Sequence, residues 1–174
     1  MCKYLYIIAM KFYHNLGFLI FGSRLRRLSE YYIAEINKVY QTKNIDFEAA
    51  WFPLFYFLSG KEEVNLREIS DALQVSHSAI SQLVKNLRTK GLVTVTPSKT
   101  DRRQNMVKLT PEGKLLMKQL KPVWESISVS INHIYTNAAE VSNLFPALSA
   151  LENHFEENPL SDIILKTLND EQDI

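Results

Sequence analysis

The chain has 174 residues, of which 46% are hydrophobic and 22% charged. This balance is typical of a globular protein and excludes a disordered or fibrous one. The single cysteine, Cys2, excludes an internal disulfide framework and a Cys-x-x-Cys metal site. The net charge of +1 conceals an asymmetry, because residues 85–121 carry 10 basic and 2 acidic side chains whereas residues 122–174 carry 1 and 9. The basic stretch predicts contact with a polyanion, and an ordinary salt-bridged surface is the alternative.

An apolar stretch at residues 4–21 is a candidate membrane or targeting segment. Lys11, His14 and Asn15 interrupt it, and a lysine near the middle of a span costs roughly 2.5–3.5 kcal/mol on insertion. Its uninterrupted apolar run is much shorter than the ~20 residues that a transmembrane helix needs. No small-residue cleavage pattern follows it. We therefore expect no membrane association and interpret residues 1–11 as an N-terminal extension.

A long amphipathic helix and a second, shorter helix are predicted in the first third of the chain. Apolar residues recur at helical spacing from Leu16 to Tyr40. Asp46 resembles the N-cap of a second helix, which extends to about Leu58. Aromatic residues at helical spacing usually build a core, although some can face a pocket. The aromatic residues of this segment are Phe47, Trp51, Phe52, Phe55, Tyr56 and Phe57.

The middle of the chain predicts two helices joined by a short turn. The first extends over Asn65–Leu73 and the turn lies at Gln74-Val75. Ser76 is a good N-cap for the second helix, which continues to Lys90, and Gly91 supplies its C-terminal stop.

A hairpin and further helices complete the pattern. The β-rich runs Leu92–Thr96 and Asn105–Leu109 are joined by a long charged loop. Thr110-Pro111-Glu112 then starts a long helix to about Tyr135. Pro122 should bend this helix. A last helical region extends from about Leu144 to Phe155, and residues 158–174 form an acidic tail in which four apolar residues suggest a final turn or two.

The exposed face of the second middle helix is the candidate DNA reader. A helix-turn-helix places its second helix in the major groove, while the first helix braces it. Gln82 can read adenine through a bidentate pair, and Lys85 and Arg88 suit phosphates. A plain solvated helix face is the alternative. The predicted reader residues are Ser76, His77, Ser78, Ser81, Gln82, Lys85 and Arg88.

The loop of the hairpin carries the second candidate set, Lys99, Asp101, Arg102 and Arg103. An arginine here can enter the minor groove, where the negative potential is strongest over narrow A·T tracts. Asp101 can pair with one arginine and fix the shape of the loop. A surface charge cluster of little energetic value is the alternative.

Residues 64–117 resemble the winged helix-turn-helix of MarR-type bacterial transcription regulators. The specific part is the signature of the wing, which reads Gly91-Leu92-Val93, Asp101-Arg102-Arg103, Leu109-Thr110 and Gly113. The resemblance departs at four positions. The family often has Ala and Gly where this chain has Ser70 and Gln74, an Asp at Ser98, and an Arg at Gln82.

The resemblance implies a mainly α fold with a small β-wing, in which dimerisation helices flank a winged helix-turn-helix. It implies a domain over residues 12–157, with a DNA-binding lobe at about 60–113 and dimerisation helices at about 12–42 and 114–157. It further implies a cytoplasmic homodimer that binds double-stranded DNA and regulates transcription, most simply as a repressor of a nearby promoter.

Many family members release DNA when a small aromatic or anionic ligand binds, and Trp51, Phe52 and Phe55 are the candidates to line such a pocket. No other cofactor and no metal is expected, because the four histidines lack ligand spacing. No catalytic constellation supports an enzyme. The alternatives are a winged-helix module that binds protein and a peroxide sensor acting through Cys2, in which no feature lowers the thiol pKa.

Overall fold

The computed structural model of the protein describes residues 16–98 and 104–170. Within them the chain is mainly helical with one small sheet, which confirms the predicted fold class. One compact unit ends at Gln119 and a second begins at Leu120. The helices are α1 (Phe21–Thr42), α2 (Phe52–Ser59), α3 (Leu66–Leu73), α4 (His77–Thr89), α5 (Pro111–Asn137), α6 (Leu144–Glu157) and α7 (Leu160–Asp170), and the strands are β1 (Val64–Asn65), β2 (Val93–Pro97) and β3 (Asn105–Leu109).

The first two helices begin later than the sequence predicts. A 3₁₀ turn at Gly17–Ile20 precedes α1, and a second 3₁₀ turn at Ala49–Trp51 precedes α2. The prediction that Asp46 caps the second helix is wrong. Its carboxylate instead accepts hydrogen bonds from Lys90 Nζ at 2.7 and 2.8 Å. The helix starts beside Pro53, whose missing N–H costs nothing in a first turn.

The cap of α4 at Ser76 and its stop at Gly91 lie where the sequence predicts them, whereas Asn65, predicted as the first residue of its helix, is the N-cap of α3. Asn65 Oδ1 accepts a hydrogen bond from the Glu68 N–H at 2.8 Å and starts α3. Ser76 Oγ accepts one from the Ala79 N–H at 3.3 Å and starts α4. Gly91 follows α4 with φ +70, a conformation that glycine adopts without a steric penalty.

The sheet contains a strand that the sequence analysis did not predict. β1 pairs antiparallel with β3, which places Val64 opposite Val107, and β3 also pairs with β2 to give the strand order β1-β3-β2. A strand of two residues is too short to show alternating polarity. Its pairing fixes the start of α3 to the hairpin.

The core of the first unit is aromatic at one end and aliphatic at the other. Phe47 lies at the centre of the aromatic end, with ring centroids 5.2–5.6 Å from those of Tyr40, Trp51 and Phe55. The pairs of Phe47 with Tyr40 and Trp51 are edge-to-face, an arrangement that adds stability beyond the area that it buries. The aliphatic end is fully buried and includes Leu54, Leu58, Val64, Ile69, Ile80, Leu87, Val93 and Val107.

The second unit, from Leu120 onward, consists of the rest of α5 together with α6 and α7. The helix α5 continues through Pro122 as far as Asn137. Tyr135 stacks on Phe145 with ring centroids 4.8 Å apart. Residues 158–174 are not simply an acidic tail, because α7 occupies Leu160–Asp170. The break predicted at Asn158-Pro159 is present and separates α7 from α6.

Candidate nucleic-acid interface

The helix α4 presents its polar face to solvent because its apolar face is fixed in the core. Ile80, Val84 and Leu87 are buried at successive turns. All seven predicted reader residues are exposed. The helix contains no acidic residue, so nothing on it opposes the approach of a polyanion. The structure thus brings together Ser76, His77, Ser78, Ser81, Gln82, Lys85 and Arg88 along one helix.

The first turn of α4 groups small hydroxyl side chains with an imidazole. Ser76 Oγ lies 3.1 Å from Ser78 Oγ and also caps the helix. His77 follows Ser76 and is exposed. The positive end of the helix dipole and the unpaired N–H groups of a first turn favour an anion at this end.

Gln82 has a partner that the sequence analysis missed. Its Nε2 donates a hydrogen bond to Asn86 Oδ1 at 2.9 Å, one turn further along α4. This bond orients the amide and leaves a second N–H and the Oε1 acceptor, which is the pair that adenine requires. The spacing of four residues between the two amides is the sequence signal that could have indicated Asn86.

The turn between α3 and α4 is held by side-chain and backbone bonds. Gln74 has φ 53, the left-handed conformation that most residues avoid. Ser70 Oγ donates to the Val75 carbonyl at 2.6 Å, and the Val75 N–H donates to the Ser70 carbonyl at 3.2 Å. Ser70 thus contributes a bond that an alanine at this position would lack, and this bond spans the strained residue.

The wing consists of β2, β3 and the loop between them. Its arms stay paired as far as Pro97 and Asn105, and the Ser98 N–H donates to the Gln104 carbonyl at 2.9 Å. The four predicted loop residues, Lys99, Asp101, Arg102 and Arg103, lie outside the described residues.

One junction connects the wing, α4 and α5. Thr110 Oγ1 donates to the Gly91 carbonyl at 2.7 Å and accepts from the Gly113 N–H at 2.9 Å. The Thr110 N–H donates to the Leu92 carbonyl at 3.1 Å. A Cβ on Gly113 would lie 2.2 Å from Leu92 O. The end of α4, both ends of the hairpin and the start of α5 are therefore held within hydrogen-bond reach of Thr110.

The three residues predicted to line an effector pocket do not share a surface. Trp51 and Phe55 are buried in the aromatic core around Phe47. Phe52 is exposed and lies beside Tyr56, with ring centroids 5.4 Å apart. The 3₁₀ turn before α2 directs Trp51 inward, which the spacing of the aromatics could not show.

Two further kinds of site are absent from the part of the chain that the structure describes. None of its helices combines the length and the apolar composition needed to cross a membrane. No three of its His, Cys, Asp and Glu side chains are grouped to hold a metal ion.

Comparison with known proteins shows the fold and a family match over part of the chain. Residues 45–104 match the model of the MarR family. No protein with a curated function matches the sequence. BpsR of Bordetella bronchiseptica, whose DNA binding is regulated by 6-hydroxynicotinic acid, is 25% identical, with 76% of this chain and 93% of that chain covered and a TM-score of 0.61.

Two structures with DNA share the fold at lower identity. A cysteine-to-serine mutant of MarR from E. coli, complexed with operator DNA, is 20% identical, with 78% and 95% of the chains covered and a TM-score of 0.62. MosR of M. tuberculosis, in complex with DNA, is 15% identical, with 80% and 98% covered and a TM-score of 0.65. Residues 45–104, which include the helix-turn-helix, match the MarR family, and the fold that surrounds them is similar to that of MarR-type winged helix-turn-helix transcriptional regulators.

Proposed function

We propose that this protein is a cytoplasmic, homodimeric repressor that binds a specific operator at a nearby promoter and catalyses no reaction. The observation that carries the proposal is the polar face of α4. Its reader side chains are exposed together, its opposite stripe is buried, and it bears no acid. This is the arrangement of a recognition helix in the major groove.

The proposal of a dimer rests on large apolar side chains that face solvent. On α1, Leu28 is 59% exposed and Tyr31 is 63% exposed, with Leu25 and Tyr32 exposed beside them. In the second unit, Val129, Ile134 and Phe145 are also exposed. Monomers rarely expose so many large apolar groups on single helices. Two recognition helices of a symmetric dimer would then read half-sites about 34–36 Å apart.

The wing supplies the second set of contacts in this proposal. Arg102 and Arg103 enter or flank the minor groove, with Lys99 on the backbone and Asp101 tying one arginine. We expect the pair Arg102→Ala and Arg103→Ala to weaken DNA binding while the dimer stays intact. Lys114→Ala with Lys118→Ala is the matched control, because it removes two exposed charges of the same basic stretch from the start of α5. If the two double variants lost equal DNA affinity, the wing arginines would contribute no more than any other basic residues of this stretch.

Release of the operator by a small aromatic or anionic effector is also part of the proposal. BpsR provides the parallel, since its DNA binding is regulated by 6-hydroxynicotinic acid. The buried positions of Trp51 and Phe55 give this effector no site among Trp51, Phe52 and Phe55. Titration of 6-hydroxynicotinic acid into the protein–DNA complex tests this part, and DNA release at constant ionic strength would support it.

Fluorescence anisotropy tests the proposal directly. The probe is the duplex upstream of the protein's own coding sequence, compared with a scrambled duplex across a salt series. We expect tighter binding to the upstream duplex, with a log–log salt slope of about 0.9 for each phosphate contact. Absence of binding to both duplexes at low salt would refute the proposal and favour a winged-helix module that binds protein.

Cys2, the candidate peroxide sensor, lies outside the described residues. Repeating the assay with hydrogen peroxide tests whether its oxidation changes DNA binding.

A further inference from the structure

A cleft of about 400 Å³ lies beside the reader helix, where several elements begin. It opens at the junction of β1 and α3, at the first residue of α4 and at the start of β3. The side chains around it include no acid, and one of them is apolar. They are Asn65, Leu66, Arg67, His77, Gln104 and Asn105.

Regular structure holds each wall of the cleft in place. Asn65 is paired with Met106 in the sheet and caps α3. Asn105 is paired with Pro97 across the wing. His77 is the first residue of α4. Because these residues belong to three connected elements, the cleft is a fixed feature of the DNA-binding lobe.

Arg67 brings an available positive charge to this cleft. Its Nε lies 3.9 Å from Asp71 Oδ2, at the limit of an ion pair, and its side chain is 85% exposed. Such a pair contributes little to stability and leaves the guanidinium donors accessible. The adjacent acid, Glu68, is already engaged by Lys61 at 2.5 Å. An anion in the cleft would therefore contact the Arg67 guanidinium, for which the Asp71 carboxylate competes only weakly.

The position of the cleft suggests which anion it binds, and this step rests on the DNA-binding function proposed above. The major groove read by α4 and the minor groove reached by the wing are neighbours, separated by one sugar–phosphate strand. The cleft lies between His77, at the start of α4, and Asn105, where β3 leaves the wing loop. We propose that the cleft binds a phosphate of this intervening strand, with Arg67 supplying the charge and the amide and imidazole groups donating hydrogen bonds.

The test measures the salt dependence of DNA binding for Arg67→Ala, Arg67→Lys and Arg26→Ala. Arg26 is the matched control, since it is also an exposed helical arginine, 81% exposed, with an acidic partner four residues on. That partner, Glu30, raises the pKa of Arg26 through their hydrogen bond. Thermal unfolding and sedimentation of each variant show that fold and assembly are retained.

We expect Arg67→Ala to lower the log–log salt slope by about 0.9, so that the variant loses about 3.5-fold less of its affinity than wild type between 50 and 200 mM salt. The affinity should fall by the same factor on the upstream and scrambled duplexes, because a phosphate contact carries no sequence information. Arg67→Lys and Arg26→Ala should keep the wild-type slope. An unchanged slope in Arg67→Ala, or an equal decrease in Arg26→Ala, would overturn the phosphate site while leaving the proposed function standing.

A free oxyanion offers the same chemistry as a DNA phosphate, and a competition experiment separates the two. Inorganic phosphate is added to the wild-type complex at constant ionic strength. DNA release that Arg67→Ala abolishes would assign the cleft to a free anion and overturn the DNA-phosphate site. We expect inorganic phosphate to release no DNA from the wild-type complex at constant ionic strength. If wild-type protein binds neither duplex, the proposed function and the cleft assignment fall together.

Discussion

Replacing Gly113 by alanine tests the junction that joins the wing, α4 and α5. The added Cβ would lie 2.2 Å from Leu92 O and 3.2 Å from Leu92 C, both backbone atoms. A backbone cannot rotate away as a flexible side chain can, so α5 and Leu92, which directly precedes β2, must separate. Overpacking of this kind costs about 1–3 kcal/mol, and the upper half of that range applies here. Alanine recovers about 1 kcal/mol through its higher helix propensity. The net expectation is a loss of about 1–2 kcal/mol in the free energy of unfolding.

Thermal unfolding followed by circular dichroism measures this loss at one fixed protein concentration, because assembly would otherwise shift the midpoint. For a chain of this length we expect the midpoint of Gly113→Ala to fall by about 2–8 °C. Gly22→Ala is the matched control, because Gly22 lies in α1 with no atom within 4 Å of an added Cβ. The unfolding midpoint of Gly22→Ala should equal or exceed that of wild type. If Gly113→Ala matched wild type, the close approach of α5 to Leu92 would not exist in solution.

Four further substitutions test individual contacts. Gln74→Gly should raise the free energy of unfolding by up to about 1 kcal/mol in urea titrations, because glycine relieves the left-handed strain; a decrease would refute the strain. Ser70→Ala should lower it by about 1 kcal/mol through loss of the bond to the Val75 carbonyl, and an unchanged value would mean that the bond contributes nothing. Gln82→Ala should alter preference at one base pair of each half-site by about 1–3 kcal/mol in binding to randomised duplexes, whereas a uniform loss would make Gln82 a backbone contact. Thr110→Val should weaken DNA binding, whereas Thr110→Ser, which keeps the hydroxyl, should bind DNA like wild type. Equal affinity of the two variants would mean that the hydroxyl does not stabilise the junction.

Features set by neighbouring residues could be predicted from the sequence. Ser76 caps α4 through an N–H three residues away, and Thr110 caps α5 in the same way. Gly91 ends α4 where a left-handed residue is needed. These are short-range relations, so the spacing of residue types was sufficient to place the helix-turn-helix and the start of the long helix.

Features set by distant partners could not be predicted. Asp46 has the residue type of an N-cap, yet its carboxylate pairs with Lys90, which is 44 positions away. β1 exists because β3 lies beside it, and two residues give no periodic signal. The aromatic residues of α2 divide between core and surface according to a 3₁₀ turn that no spacing indicated. In each case tertiary contacts outweighed a local preference.

The departures from the family pattern in the helix-turn-helix show how a local conflict is resolved. Glycine is the residue that accepts φ 53 without strain, and this chain has Gln74 there. A second departure, Ser70, adds the hydrogen bond to Val75 across the same turn. The left-handed Gln74 costs roughly 1–2 kcal/mol of stability. The hydrogen bond of Ser70 contributes about 1 kcal/mol, so it offsets much of this cost. We therefore expect the two positions to be coupled: Ser70→Ala should cost less in a Gln74→Gly background, where the turn no longer needs the added bond. Additive effects in that double-mutant cycle would mean that Ser70 and Gln74 act independently.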